Sequence, residues 1–298
     1  MQPLMRRGFA LAEVLIALVL LGTIAVVTYR IVVAGQHVYR AQTQRIDLQQ
    51  NIRAAAAVLP AELRVLNARD GDIVAMSSDS ITIRAMRLFA VACDTPTLEG
   101  GALTGRTVVI RNSLTFGSRM LAVGDSVLIY YEGARGNSTG DGWLRGRLTL
   151  DPASARCARP EPVAQARPGM RLTVDLASPD PPQQIRAGMI PVGAPVWGYE
   201  LTTYKRYRSP SDGLWYLGQR VAGATLQPLV GPLAGASGLS FAYYDSTGAP
   251  TSTAADVAQI EVLLRGRTAR SIPMADGSEA DAIDSLVIRV ALRNNRRF

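Results

Sequence analysis

The sequence predicts an α+β fold in which a long N-terminal helix packs on an antiparallel β-sheet. Three observations predict this fold. Residues 9–35 are apolar enough for a membrane-spanning helix, and residues 36–66 continue as an amphipathic helical stem. After about residue 70, the period of the apolar residues changes from helical to alternating. The chain has 298 residues, 48% of them hydrophobic, which is enough for one or two packed domains.

The predicted membrane span begins with an apolar run over residues 9–27, which only Glu13 and Thr23 interrupt. As a helix this run is about 28 Å long, close to the thickness of the hydrocarbon core of a bilayer. Arg6 and Arg7 precede it. By the positive-inside rule, they predict a cytoplasmic N-terminus and place everything after residue 35 on the other side of the membrane.

Three kinds of N-terminal segment could account for this apolar run. A secretory signal peptide has an apolar core of about 7 to 15 residues and a small-residue cleavage site, whereas this run is longer and carries a carboxylate. An ordinary signal anchor fits the length. It leaves Glu13 unexplained, because a charged side chain inside a membrane costs roughly 2.5 to 3.5 kcal/mol on insertion scales.

The third interpretation explains the glutamate. Residues 8–18, GFALAEVLIAL, resemble the class III prepilin signal of type IV pilins and type II secretion pseudopilins. In that family the prepilin peptidase cuts after a glycine that ends a short basic leader, and the new N-terminal residue is methylated. The resemblance implies removal of residues 1–8, cleavage between Gly8 and Phe9, and N-methylation of Phe9. Glu13 then stands at the fifth position of the mature chain, where the family has a glutamate.

Cleavage would also create a partner for Glu13. The new α-amine of Phe9 stays largely cationic near neutral pH, and methylation keeps its charge. Glu13 lies four residues further along the same helix face. The resemblance implies that Glu13 recruits the N-terminus of the adjacent subunit during assembly. Ala10 departs from the family pattern, in which Thr is commoner, but Gly8, Phe9 and Glu13 all match.

The stem that follows is predicted to lie on the sheet. Its apolar residues recur with a spacing of three and four. They are Val38, Ala41, Leu48, Ile52, Ala55 and Leu59. Pro60 is expected to kink or end the helix, with one further turn up to residue 66. His37, the single histidine of the chain, is expected on the stem surface.

The rest of the chain is predicted to be β-rich, with an insertion at residues 67–192 and a C-terminal antiparallel sheet at residues 193–298. Prolines are frequent between residues 150 and 195, which predicts irregular connections there. Residues 209–213 predict a hairpin turn. The predicted strands are 81–84, 107–110, 126–130, 171–176, 196–207, 214–221, 239–244, 260–265 and 286–293.

Cys93 and Cys157 are the two cysteines of the chain. They are far apart and do not form a CxxC pair, so they offer no framework for a zinc site. If the region after the span is exported, they can form a disulfide in an oxidising compartment, worth roughly 4 kcal/mol for a loop of this length. The alternative is a pair of separate buried thiols.

No catalytic or cofactor site is predicted. The single histidine excludes a Ser-His-Asp triad outside the stem, and no phosphate-binding loop, dinucleotide fingerprint or zinc-protease motif is present. Residues 276–284 are rich in carboxylates but lack EF-hand spacing, so a solvated turn is favoured over calcium. Trp143, Trp197, Trp215 and Tyr204 are assigned to packing within the sheet rather than to a sugar or another partner.

The formal net charge is +8, and 31 of the 32 basic residues are arginines scattered along the sequence. This ratio fits a genome-wide codon bias better than selection for one polyanionic partner, so nucleic acid is not an expected partner. Two alternatives to the pilin interpretation remain open. One is a membrane-anchored extracytoplasmic enzyme or carbohydrate-binding module, and the other is a pilin for DNA uptake.

The resemblance implies a function without catalysis. The layout is most like the large minor subunits, the PilW type of type IV pili or the J type of pseudopilins. The implied partners are the prepilin peptidase, other pilin or pseudopilin subunits bound through the N-terminal helix, the inner-membrane assembly platform and the lipid bilayer. The implied location is the bacterial inner membrane, with a single span, a periplasmic C-terminal region and later incorporation at or near the tip of a fibre.

Overall fold

The N-terminal segment forms one very long helix. The computed structural model describes residues 11–94, 106–133, 140–157, 167–176, 190–274 and 278–293. Helix α1 extends over Leu11–Arg64, and its 54 residues correspond to a length of about 80 Å. The predicted membrane segment and the predicted stem are therefore one continuous helix.

Strands make up most of the remaining described residues. Fourteen of them join one antiparallel sheet, and two form a separate hairpin. The nine strands predicted from alternation are all present. The strands are β1 (Ile73–Met76), β2 (Ser80–Val91), β3 (Arg106–Arg111), β4 (Phe116–Gly117), β5 (Ser126–Tyr131), β6 (Gly142–Leu148), β7 (Ala153–Cys157), β8 (Arg167–Leu176), β9 (Pro195–Arg208), β10 (Trp215–Val221), β11 (Gln227–Leu233), β12 (Leu239–Tyr244), β13 (Gln259–Arg267), β14 (Ile272–Pro273), β15 (Glu279–Ala280) and β16 (Ile283–Ala291).

The first of two cores lies between α1 and the C-terminal strands. The buried stripe of the helix, Leu48, Ile52, Ala55, Leu59 and Leu63, keeps the spacing of three and four. It packs on β11, β13 and β16, beside the hairpin β14–β15. The predicted packing of the stem on an antiparallel sheet is thus confirmed from Leu48 onwards.

The helix approaches the sheet most closely at Gly266 of β13. A Cβ atom built on Gly266 would lie 2.7 Å from Cδ1 of Leu48 and 3.1 Å from Cδ1 of Ile52. A side chain at this position would therefore displace at least the side-chain ends of Leu48 and Ile52. The absence of a side chain lets two apolar residues of α1 rest directly on the strand backbone.

Pro60 does not end the helix, which continues to Arg64. A proline lacks only its own N–H, and the rest of the turn retains its hydrogen bonds because Leu59 and Leu63 pack against the first core. The far end is tied to the end of the last strand. The amide of Arg293 donates a hydrogen bond of 2.8 Å to the carbonyl of Arg64, one of the carbonyls left unpaired where a helix ends.

The second core fills a small β-barrel. Strands β2, β9, β5, β6, β8 and β3 pair in this order, each antiparallel to the next. Ala92, just beyond β2, then pairs with Ile110 of β3 and closes the circuit. The buried interior residues come from all six strands, including Leu88, Val108, Val127, Leu144, Leu172 and Val196.

The two cores share strands β2 and β9. Ile83 of β2 and Tyr204 of β9 belong to the first core. Leu88 of β2 and Val196 of β9, at the other end of the paired strands, belong to the second. Because β2 pairs with β9 along its whole length, strand pairing crosses from residues 67–192 to residues 193–298. The sheet is continuous between the two ranges.

The predicted disulfide lies beside the barrel seam. Cys93 and Cys157 are bonded, with their Cα atoms 5.3 Å apart, so they are not two separate thiols. The amide of Cys93 donates a hydrogen bond of 2.8 Å to the carbonyl of Val109 on β3, beside the Ala92–Ile110 bridge. Cys157 is the last residue of β7, which pairs with β8, so the disulfide links the chain just after β2 to the opposite neighbour of β8.

Removing the disulfide is expected to weaken the barrel. The double variant Cys93→Ala, Cys157→Ala lacks the cross-link between two residues that are 64 positions apart in the sequence. Its loss should lower the free energy of unfolding by up to about 4 kcal/mol. Urea unfolding of the full chain in detergent, followed by tryptophan fluorescence, measures the loss. The unmodified protein under reducing conditions is the matched control and should behave like the variant. Equal stability of the oxidised protein and the variant would contradict this role.

Candidate functional site

The N-terminal part of α1 is the one helix, among the described residues, that is long and apolar enough to cross a membrane. Before Leu48, its side chains are exposed or half-buried, and most of its large apolar residues are more than half exposed. The segment from residue 11 to residue 47 therefore extends about 55 Å beyond the first buried position. Such a helix is compatible with a single-pass membrane anchor.

Glu13 lies in the first turn of this helix as described, among exposed apolar neighbours such as Val14 and Ile16. Arg6, Arg7, Gly8 and Phe9 lie outside the described residues. Cleavage after Gly8, methylation of Phe9 and pairing of its amine with Glu13 accordingly stay predictions.

The predicted stem stripe divides at Leu48. Leu48, Ile52, Ala55 and Leu59 are buried as predicted, whereas Val38 is 58% exposed and Ala41 is half-buried. The main sheet buries the stripe from Leu48 onwards, and Pro273 of β14 lies beside Val38 and Ala41. His37 is exposed, as predicted, and lines a shallow cavity of about 240 Å³ with Arg45 and Pro273.

A chain of ion pairs joins the helix to both long shared strands. Arg87 of β2 contacts Glu62 of α1 at 2.8 Å and Glu200 of β9 at 3.3 Å. Glu200 also binds Arg119 at 2.6 Å, and Arg119 binds Asp125 at 2.6 Å. The hydrogen bond from Arg119 lowers the pKa of Asp125. This charge chain links the stem, the sheet and the loop that leads into the barrel.

A polar groove between α1 and the sheet was not predicted. Gln44, Asp47 and Asn51 of the helix line a cavity of about 380 Å³ opposite Pro232 and Arg267. The side-chain amide of Asn51 donates a hydrogen bond of 3.0 Å to the carbonyl of Gly231, which fixes one wall. The polar residues of the stem could have indicated this groove only if the position of β11 relative to the helix had been known.

The acidic segment 276–284 falls partly outside the described residues, which include Ser278 onwards. Its carboxylate Asp281 forms an ion pair with Arg267 and accepts a hydrogen bond of 3.0 Å from Ser271. Within the described ranges, no group of three or more His, Cys, Asp or Glu side chains is placed to hold a metal ion. Asp281 thus fastens the connection between β13 and β16.

The four aromatic residues assigned to packing occupy two different environments. Tyr204 is fully buried in the first core, and Trp215 packs against the same core, with the Arg206 guanidinium 5.8 Å from its ring centre. Trp143 and Trp197 are half-buried on the outside of the barrel instead. The packing assignment therefore fits the first pair, while the second pair faces outwards.

Comparisons with protein-family models, with curated proteins and with solved structures find no match to this chain.

Breaking the charge chain is expected to loosen the helix from the sheet. The variant Arg87→Ala leaves the carboxylates of Glu62 and Glu200, both largely buried, without their shared cation, at a cost of about 2 kcal/mol in unfolding free energy. Urea unfolding measures the change. Arg289→Ala is the matched control, because Arg289 is 70% exposed in its pair with Glu261 and should change stability by less than about 0.5 kcal/mol. Equal effects would contradict the role of Arg87.

Proposed function

We propose that this protein is a minor pilin or minor pseudopilin precursor. It is processed by a prepilin peptidase and joins a type IV pilus or a type II secretion pseudopilus through its N-terminal helix. The observation that carries the proposal is the helix itself. Its C-terminal part packs on a sheet from Leu48 onwards, while its apolar N-terminal part extends away from that sheet with Glu13 near its start.

The apolar half of α1 needs an apolar environment outside the chain. Leaving Leu15, Ile16, Leu18 and Leu20 in water would forfeit roughly 1.5 to 3 kcal/mol for each side chain. The lipid bilayer supplies this environment before assembly, and the helices of neighbouring subunits supply it in a fibre. The same surface thus serves as membrane anchor and as assembly interface.

Glu13 favours a fibre subunit over an ordinary anchor. A carboxylate near the start of a span weakens insertion, so it is useful only where a cation offsets its cost. The α-amine that cleavage would expose on Phe9 is such a cation. In the families that this segment resembles, the amine belongs to the adjacent subunit. Its pairing with Glu13 would set the axial register between subunits.

The enlarged β-region supports the assignment to a minor subunit. The barrel adds a second core beyond the first, on strands that continue out of it. Large subunits of this layout stand at or near the fibre tip in the resembling families, where they help to initiate assembly. We place the helix in the inner membrane with a cytoplasmic N-terminus, and the sheet and barrel in the periplasm.

Processing is testable by mass spectrometry of the N-terminus. The mature protein should begin with N-methylated Phe9 when expressed with a prepilin peptidase. Gly8→Val should block cleavage, because a side chain at the cleavage position obstructs the peptidase. Gly22→Val is the matched control, since a Cβ at Gly22 meets nothing within 4 Å and should leave cleavage unchanged. An intact Met1 in the unmodified protein, or a cut beyond residue 30, would overturn the proposal.

Assembly is testable at Glu13. Glu13→Ala should leave membrane insertion unchanged or improved, because it removes a charge from the span, and should lower incorporation into sheared fibres at least tenfold. Quantification of both fractions in the native host measures this separation. Thr23→Val, within the same helix, is the control and should leave both fractions unchanged. Normal incorporation of Glu13→Ala would refute the assembly role while leaving the processing test intact.

A further inference from the structure

An unbroken row of side chains crosses one outer face of the barrel. Phe116 of β4 pairs with Phe89 of β2, Phe89 with Trp197 of β9, Trp197 with Leu128 of β5, and Leu128 with Arg145 of β6. Side chains of directly paired residues point to the same face of an antiparallel sheet. These five residues therefore form one ladder, which we call the aromatic row.

A second aromatic pair extends the row on the same face. Tyr130 and Trp143 stand two residues along β5 and β6 from Leu128 and Arg145, and they pair with each other. Their ring centres are 5.5 Å apart in an edge-to-face arrangement. The rings of Phe89 and Trp197 lie 4.8 Å apart. The result is a broad, nearly continuous aromatic surface.

This surface is partly open to solvent. Phe116 is 61% exposed, and Phe89, Trp197, Tyr130 and Trp143 are half-buried, whereas Leu128 within the row is buried. The barrel core lies on the opposite face of the same strands, and α1 packs on β11, β13, β14 and β16. Exposed aromatic clusters of this kind mark binding surfaces.

Arginines continue the face beyond the aromatic row. Arg145 and Arg147 occupy alternate positions of β6 and point outwards. Arg171 lies on the outer face of the neighbouring strand β8, on the same face as Asp175. All three arginines are exposed. Arg171 is distant in sequence from Arg145 and Arg147 but lies on the adjacent strand, so the three arginines bring positive charge to this face.

Carboxylates are interleaved with the aromatic and basic groups. Asp141 accepts hydrogen bonds of 2.8 Å from the hydroxyl of Tyr130 and from the amide of Gly133, which fix its orientation. Asp175 pairs across the strands with Arg147. The face thus presents aromatic rings, guanidinium donors and carboxylate acceptors within a few residues of one another.

We propose that this face binds an acidic polysaccharide. One side of a pyranose ring is an apolar surface of C–H groups, which stacks on aromatic rings and is attracted by their electron-rich faces. Arginines bind the carboxylate or sulfate groups of the chain with paired hydrogen bonds. Fixed carboxylates such as Asp141 accept hydrogen bonds from sugar hydroxyls.

The interleaved carboxylates favour a polysaccharide over a nucleic acid. Single-stranded nucleic acids also stack on aromatic side chains, but their binding grooves line the phosphate backbone with positive charge. Here Asp141 and Asp175 lie beside the aromatic and basic groups and would repel phosphates. A sugar chain offers hydroxyl donors to these carboxylates as well as anionic groups to the arginines, whereas the backbone of single-stranded DNA offers only the anions. The proposal goes beyond fibre assembly and does not depend on it.

Tryptophan fluorescence provides a direct readout, because Trp143 and Trp197 are two of the three tryptophans in the chain. We titrate the full chain in detergent with polygalacturonate and with heparin, using dextran and the oligonucleotide (dT)20 for comparison. A saturable change with at least one of the two acidic polysaccharides, weakened by added salt and absent with dextran, is the expected result.

Variants locate the binding. Trp197→Ala and Arg145→Ala should each weaken binding at least tenfold, and Phe116→Ser should weaken it as well without a risk to the core, because Phe116 is exposed. Trp215→Phe and Arg220→Ala are the matched controls, since Trp215 packs in the first core and Arg220 is exposed on β10. Both should bind like the unmodified protein. Unchanged thermal unfolding verifies that each variant is folded.

Three results would overturn the proposal. One is the lack of a saturable response to both acidic polysaccharides. Another is tighter binding of (dT)20, which would assign the face to nucleic acid. The third is equal binding by Phe116→Ser, Arg145→Ala and the two controls, which would place the sugar elsewhere on the molecule. None of these results bears on cleavage after Gly8 or on the role of Glu13.

Discussion

The structure depends on a mismatch in length between one helix and the sheet that supports it. Helix α1 has 54 residues, but its buried stripe extends only from Leu48 to Leu63. Over this stripe each large apolar side chain contributes roughly 1.5 to 3 kcal/mol by leaving water, and Gly266 lets the helix settle against the strand backbone. The remaining apolar residues receive no such stabilisation from the sheet. This exposed apolar part of the helix is compatible with a membrane anchor, and in the proposed function lipid or another subunit would cover it.

The long strands β2 and β9 connect this helix to the rest of the molecule. Strand β2 begins in the core that holds the stem and ends in the barrel, and the antiparallel strand β9 runs the opposite way, so each strand contributes to both cores. The charge chain crosses these strands near the transition, where Arg87 contacts Glu62 of the stem and Glu200 of β9. Motion of the helix relative to the sheet would break these contacts. The stem, the sheet and the barrel are thus joined by paired backbone and by partly buried charges.

The sequence alone predicted the elements better than their arrangement. The helix and nine strands follow from periodicity, because each element buries one face. Strand β11, QPLVGPL, was missed since its two prolines and its glycine are unfavourable in strands, and β7 is short and mostly exposed. The Ala92–Ile110 closure joins residues whose pairing no local pattern encodes. The aromatic row was missed for the same reason, because Phe116, Phe89, Trp197 and Arg145 become neighbours only through register. The disulfide was foreseen as one of two alternatives.

Two independent features support the same orientation of the chain. Disulfides form and persist in oxidising compartments, and the Cys93–Cys157 bond lies beside the barrel seam. In a bacterium this condition is met outside the inner membrane. Arg6 and Arg7 precede the apolar run, and by the positive-inside rule they favour a cytoplasmic N-terminus. In the proposed topology, a single span brings the barrel to the oxidising side, where its disulfide persists. With the opposite orientation, the two arginines would have to cross the membrane and the barrel would have to fold in a reducing compartment. The arginines before the apolar run and the disulfide of the barrel therefore both favour the proposed orientation over its reverse.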